Sequence, residues 1–347
     1  TGMPLTSGIP SVLYASENQA DGLYFRTRNE VNARSGYLNM DVGGGTTDLS
    51  VWLSGETAPA AEASLLLGCR QILFDSLSSR RRAEFEQDFQ NADDSLRALV
   101  SEMSQAFAAG QTSLRMRQKN VFLLDSFFAR QTEGIARMMA DVRGEGRVSL
   151  LESLLLLHFG FLFRLCGELL DRCAQTPETR ALLSPRMELC VAGNGGQFLK
   201  LFDRDARSKL FRLALNGLSA DHPVQELVLV QSRHPKQEVA RGLLTDVSRL
   251  RSSVQGGEPI APAQAQAKPH RRGLLTDYLT AFYAAFPQAG EKLLGRAFER
   301  DPDPKVIRMK PSAAIELETV LDNELTGPDE FAGYVRAFNS MKRLWEI

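Results

Sequence analysis

Neither sign of charge dominates this 347-residue chain: 41 lysines and arginines meet 42 aspartates and glutamates, a net charge of −1. That balance removes the electrostatic case for nucleic acid or an anionic membrane as partner. Cysteine is scarce as well. Cys69, Cys166, Cys173 and Cys190 lie in apolar or helical stretches without metal-ligand spacing, and a reduced, cytoplasmic chain is the simplest reading. No membrane span is expected. The longest apolar run, LLLLHFGFLF at 154–163, is too short for a bilayer and is bounded by Glu152 and Arg164; His158 inside it reads as a core or groove residue rather than a ligand. No signal peptide is visible, and an opening on TGMPL reads like the later part of something longer. The length suffices for two or three domains.

Glycine, by contrast, is concentrated in one place. The stretch DVGGGTTDLS at 41–50 sets three consecutive glycines between two aspartates, a costly choice unless the backbone needs positive φ or comes close to something. Both flanks read as strands, with Leu49, Val51 and Leu53 alternating against Asp48, Ser50 and Trp52. The glycines therefore join a hairpin. A dinucleotide fingerprint or a P-loop would open a helix instead, and neither is present. The N–H groups of a tight hairpin can converge into an anion nest. Thr46 and Thr47 add hydroxyl donors, while Asp41 and Asp48 beside an anion make sense with a hydrated Mg²⁺ between. The plainer alternative is a Gly-rich turn carrying two surface aspartates.

Residues 1–58 read as β-rich, and residues 59–185 as helical, with apolar positions at helical spacing. MELCVA at 187–192 followed by GNGGQFLKLF reads as strand, Gly loop, helix. VQELVLVQS supplies another strand, and Pro235 sits near a helix start. Residues 252–270 are rich in Pro, Gly, Ala and Gln and read as a linker or exposed loop. Residues 271–347 read as a helical tail, with Phe338 and Trp345 as anchors. The hexapeptide RGLLTD occurs at 241 and again at 272.

The order of these segments resembles the second half of the ATPase domain shared by actin, the seventy-kilodalton heat-shock chaperones, bacterial actin-like proteins and sugar kinases. The hairpin resembles that family's Asp-x-Gly-Gly-Gly-Thr-x-Asp phosphate motif through Asp41, Gly43, Gly44, Gly45, Thr46 and Asp48. SENQA resembles the segment crossing between lobes, with Glu17 at the acidic position; AGNGGQF resembles the adenosine motif, and LLLGCRQILFDSL the segment after the hairpin. The resemblance implies an α/β fold, namely the second lobe of an actin- or chaperone-like ATPase with a ribonuclease-H-like mixed sheet. Residues 1–58 and 186–251 would form that lobe, with 59–185 a helical insertion subdomain and 271–347 a helical extension. It implies ATP and Mg²⁺ as ligands. Backbone donors of Gly43–Thr46, with Thr47 alongside, would hold the phosphates. Asp41 and Asp48 would hold Mg²⁺ or orient water, and Glu17 would orient water or act at the hinge. Gly193, Asn194, Gly195 and Gly196 would let the chain pass close under the nucleoside. Strands are expected near 37–42, 48–53, 187–192 and 226–231, and Gly45 and Gly195 should meet across one cleft.

The family's first phosphate loop, Asp-x-Gly-Thr/Ser, does not occur in this sequence, so the resemblance makes an opposing N-terminal lobe a required partner. Asn194 replaces a common glycine or serine, and Cys69 stands where chaperones carry a second glycine. Two other readings remain open on the same fold: a non-catalytic scaffold whose insertion docks a protein partner, and a sugar- or acid-kinase relative. Self-assembly into filaments is a variant of the first reading.

Overall fold

The structure, a computed structural model, describes residues 17–27, 31, 35–56, 58–78, 80–108, 114–233, 237–243, 273–300, 307–326 and 329–347. Short apolar runs form five strands: Tyr37–Val42 (β1), Thr47–Trp52 (β2), Ala61–Leu65 (β3), Arg186–Ala192 (β4) and Glu226–Gln231 (β5). They make one mixed sheet in the order β3-β2-β1-β4-β5. The first three are antiparallel neighbours, and β4 and β5 run parallel to β1. The four strands expected from the sequence all form, and residues 41–48 make the hairpin.

Strand periodicity then divides the side chains between two cores. Leu38, Met40 and Val42, with Leu49, Val51, Leu189 and Val191, face the larger one. Tyr37, Trp52, Cys190 and Ala192 face a smaller core shared with Tyr24 and Phe25. Because both faces are covered, Ser50 and Trp52 are as buried as the apolar residues they alternate with.

The cover on the smaller face corrects the reading of residues 17–27 as part of a β-rich segment. Glu17–Thr27 is a helix, α1. Ala20 to Phe25 are all buried, so no apolar stripe of helical period marks the sequence, and adjacent aromatics read as strand. Tyr37 stacks on Trp52, with ring centroids 5.5 Å apart, and its hydroxyl donates to the Gly22 carbonyl. Arg26 donates to the Glu56 carbonyl at the far end of β2. The middle and second half of the helix thus lie over the end of the sheet away from the hairpin.

The helices of the segment read as an insertion are Cys69–Ser76 (α2), Arg82–Asp88 (α3), Asp94–Ala108 (α4), Leu114–Gly144 (α5), Leu150–Cys173 (α6) and Pro177–Ala181 (α7). Residues 61–65 depart from the helical reading and join the sheet as β3. Ala, Glu and Ser there have weak strand preference, and the free edge of β2 overrides it. Ser149 caps α6 by accepting from the Glu152 N–H at 3.0 Å. This helix is long and apolar enough to cross a membrane, yet its apolar window is wholly buried within the chain's own core. LLLLHFGFLF is therefore a packing segment, as expected from its sequence.

Beyond β4 come Gly193–Gly196 (α8), Arg204–Leu215 (α9) and Glu238–Leu243 (α10), the last packed on α1. Helices Gly273–Ala285, Pro287–Leu294, Pro311–Glu324 and Glu330–Trp345 complete the chain, with a two-stranded ribbon of Phe298–Arg300 and Ile307–Met309 that the helical reading did not include. Phe338 stacks on Phe161 of α6 at 4.2 Å, and the Trp345 indole donates to Glu316, so both expected anchors are buried. Residues 252–270 and Pro235 lie outside the described residues.

Candidate functional site

Gly43 donates to the Thr46 carbonyl at 2.9 Å, which closes the turn over Gly44 and Gly45. None of the three glycines has positive φ, so close approach is the reason left for them. The carbonyl side of the turn is committed: Gly43 and Gly44 accept from the Cys69 and Arg70 N–H groups, at 3.1 and 3.0 Å, as α2 begins. A Cβ on Gly68 would come 2.5 Å from the Gly44 carbonyl carbon, and one on Gly44 would come 2.6 Å from the Arg70 guanidinium carbon. Gly45 is different. A Cβ there would meet nothing within 4 Å, and Gly45 and Thr46 are exposed. The space beside Gly45 is open, so no neighbour among the described residues requires a glycine there.

Asp41 and Asp48 stand opposite each other in the β1–β2 ladder, both half-buried. Side chains so placed have Cβ atoms about 5 Å apart, and like charges there repel. Thr47, expected beside the phosphates, is buried, and its hydroxyl donates to the Leu67 carbonyl at 2.6 Å. It fastens the hairpin from within.

The second glycine segment meets the first through the sheet. Parallel pairing sets Asp41 beside Ala192, so β1 and β4 release their loops at the same edge. Gly193–Gly196 is not an open loop but the first helical turn after β4. Gly193 has φ +73°, and a Cβ on it would land on Asp41 Oδ1 and 2.5 Å from the Val42 carbonyl oxygen. A Cβ on Gly195 would come 2.5 Å from Val42 Cγ1. Asn194 is exposed at the tip, and the Gly196 carbonyl accepts from Gln231 at 3.0 Å. Gly193 and Gly195 thus pack against Asp41 and Val42 at the end of β1, the residues that lead into the hairpin glycines, and not against Gly45 itself. Glu17 is the first residue of α1; its side chain lies outside the described residues.

Two residues beside the hairpin carry no signal in the motif itself. Arg70 forms a two-pronged ion pair with Asp125 of α5, Nε to Oδ1 and Nη2 to Oδ2, each 2.9 Å. Its place directly after LGC, where α2 starts, is the only sequence hint; Asp125 has none. Cys69 is no nucleophile here, because burial, with Asp125 nearby, pushes its thiol up to about 12. All four cysteines are free and buried. Among the described residues no group of three or more His, Cys, Asp or Glu side chains is placed to hold a metal. Asp41 and Asp48 are two carboxylates and do not by themselves make such a group. A groove of about 370 Å³ opens between α3 and α4, and no residue of this site lines it.

No family model matches the chain, and no curated protein matches it.

Proposed function

We propose that this chain is the nucleotide-binding lobe of an actin- or chaperone-like ATPase, holding Mg²⁺-ATP at the edge where β1 and β4 end. The observation that carries the reading is the seating of Gly193 against Asp41, which sets the second glycine segment on the strand end that leads into the hairpin. The mixed sheet, with the hairpin at its middle and two parallel strands beyond, supports a ribonuclease-H-like lobe.

In this reading the backbone donors of Gly43–Thr46 hold the terminal phosphates, with the bare face of Gly45 leaving room for their approach. Oriented donors around developing charge are what phosphoryl transfer needs. Asp41 and Asp48 hold the Mg²⁺ waters, the cation offsets their mutual repulsion, and it also neutralises charge on the phosphate oxygens. Asp41 is kept in place by Gly193, whose missing side chain leaves room for its carboxylate. Gly193–Gly196 passes under the nucleoside, and Glu17 orients water from the start of α1. These residues meet the ligand from one side only. Hydrolysis needs opposing donors and exclusion of water, which the resemblance assigns to a first lobe. Weak binding without appreciable turnover is the expected behaviour of these residues alone, in a cytoplasmic setting.

Calorimetric titration with Mg²⁺-ATP tests the reading, with Gly45→Leu as the control variant. Heat of binding in the parent chain that disappears in the variant supports it. Equal titrations in the two chains, or no heat of binding in the parent chain, overturn it.

A further inference from the structure

We propose that Arg70 is a phosphate-binding residue of the hairpin and that Asp125 holds it in reserve until a polyphosphate arrives; this rests on the phosphate-hairpin reading above. The cation is already at the site. Its backbone N–H is fixed on the Gly44 carbonyl at 3.0 Å, and its guanidinium lies where a Gly44 side chain would be, 2.6 Å from that Cβ position. The lack of a side chain at Gly44 is therefore what seats a positive charge over the turn.

The partner of that charge is replaceable. Arg70 and Asp125 keep 32% and 46% of their side-chain surface exposed, so water and salt screen the pair and make it a weak lock. A guanidinium fork fits phosphate oxygens as well as it fits a carboxylate, and a triphosphate carries more negative charge than one aspartate. A ligand on the hairpin would draw the fork from Asp125 to its terminal oxygens. Only the side chain must swing, because the Arg70 backbone stays tied to the turn.

The exchange has a consequence for the helical segment. Asp125 lies on α5, a 31-residue helix, so the pair ties that helix to the turn in the ligand-free chain. Phosphate binding would release the tie, passing a signal from the hairpin to α5.

The two partners should respond with opposite signs. In calorimetric titrations with Mg²⁺-ATP and with inorganic tripolyphosphate, Arg70→Ala should weaken binding about 10- to 100-fold, the range of a charge-assisted contact. Arg70→Lys, which keeps the charge but loses the fork, should fall in between. Asp125→Asn should tighten binding about 1.5- to 5-fold by freeing the cation, since an exposed pair opposes release only weakly. Adenosine, which lacks phosphates, should bind all four chains alike. Thermal melts confirm that each variant is folded. If Arg70→Ala and Asp125→Asn both weaken binding, or neither changes it, while Gly45→Leu still abolishes it, the pair is structural and this inference alone falls. If Gly45→Leu binds like the parent chain, the hairpin reading falls and takes this inference with it.

Discussion

Lys342 Nζ lies 2.9 Å from Nε2 of His158, with both side chains almost wholly inside the protein. His158 Nδ1 is 2.9 Å from the Leu154 carbonyl one turn back, so Nδ1 carries the proton and Nε2 accepts from the lysine. Asp75 of α2 completes the cluster, 2.6 Å from the ammonium and 3.3 Å from the imidazole. Burial and then Lys342 push the His158 pKa below its ordinary 6.5. Burial likewise lowers Lys342, with Asp75 pulling the other way. Burial would raise Asp75, but the Lys342 ammonium holds it below its ordinary value. The C-terminal helix is thereby fastened to α2, the element that caps the hairpin carbonyls.

This cluster gives stability a definite pH dependence. The unfolded chain protonates His158 near pH 6.5, while the folded chain resists. Stability is full above that pH and declines as pH falls toward the folded pKa, by at most about 1.4 kcal/mol per pH unit for one proton. Burial lowers His222 as well, so it adds to the same slope. Melting temperatures between pH 7 and pH 5 should fall, and His158→Gln should make the decline shallower. An unchanged slope in that variant would assign the titration elsewhere.

Lys342→Ala should cost about 3–5 kcal/mol in urea unfolding, because it strands Asp75 without its buried counter-charge. Changing both residues together, Lys342→Met with Asp75→Leu, should cost less than Lys342→Ala alone. A double variant worse than the single one would mean that the pair stabilises the fold beyond satisfying its own charges.

Gly193 and Gly45 should separate fold from function. Gly193→Ala forces a side chain into a positive-φ position and onto Asp41, and should destabilise by about 1–2 kcal/mol or more. Gly45→Ala meets no neighbour and has ordinary φ, so its stability should match the parent or exceed it by about 0.4–1 kcal/mol. Nucleotide affinity should nevertheless drop in Gly45→Ala. Unaltered affinity there would remove the turn from the binding surface.

Asp41→Asn should relieve the repulsion across the ladder and raise stability by about 0.2–1 kcal/mol. The same change should abolish the dependence of ATP affinity on Mg²⁺. Loss of stability with Mg²⁺ dependence intact would make Asp41 a structural residue.

Phe161 and Phe338 test the docking of the C-terminal helix. Each alanine variant should cost about 3–5 kcal/mol, and the double-mutant cycle should return a coupling of about 0.5–1.5 kcal/mol for the stacked pair. Additive losses would mean that the rings are buried independently.

What could be read from the sequence was local. Three glycines between two strand-like runs define a hairpin within ten residues, helical spacing marks α4 and α5 because each buries one stripe over many turns, and α6 is marked instead by the length of its apolar run. Where the signal depended on neighbours far along the chain, reading failed. α1 buries six consecutive residues, Ala20 to Phe25, so that stretch carries no period. β3 has the composition of a helix and is a strand because β2 offered it an open edge. The sequence also placed glycines at 43–45 and 193–196, but only parallel pairing of β1 with β4 could press Gly193 onto Asp41, since ladder hydrogen bonds join residues 151 positions apart without any local trace. The same holds for Arg70 on Asp125 and for Lys342 between Asp75 and His158. Local pattern fixes which segments bend, coil or extend; which charges meet is decided by packing, because a side chain's partner is chosen by the surface that folding brings to it.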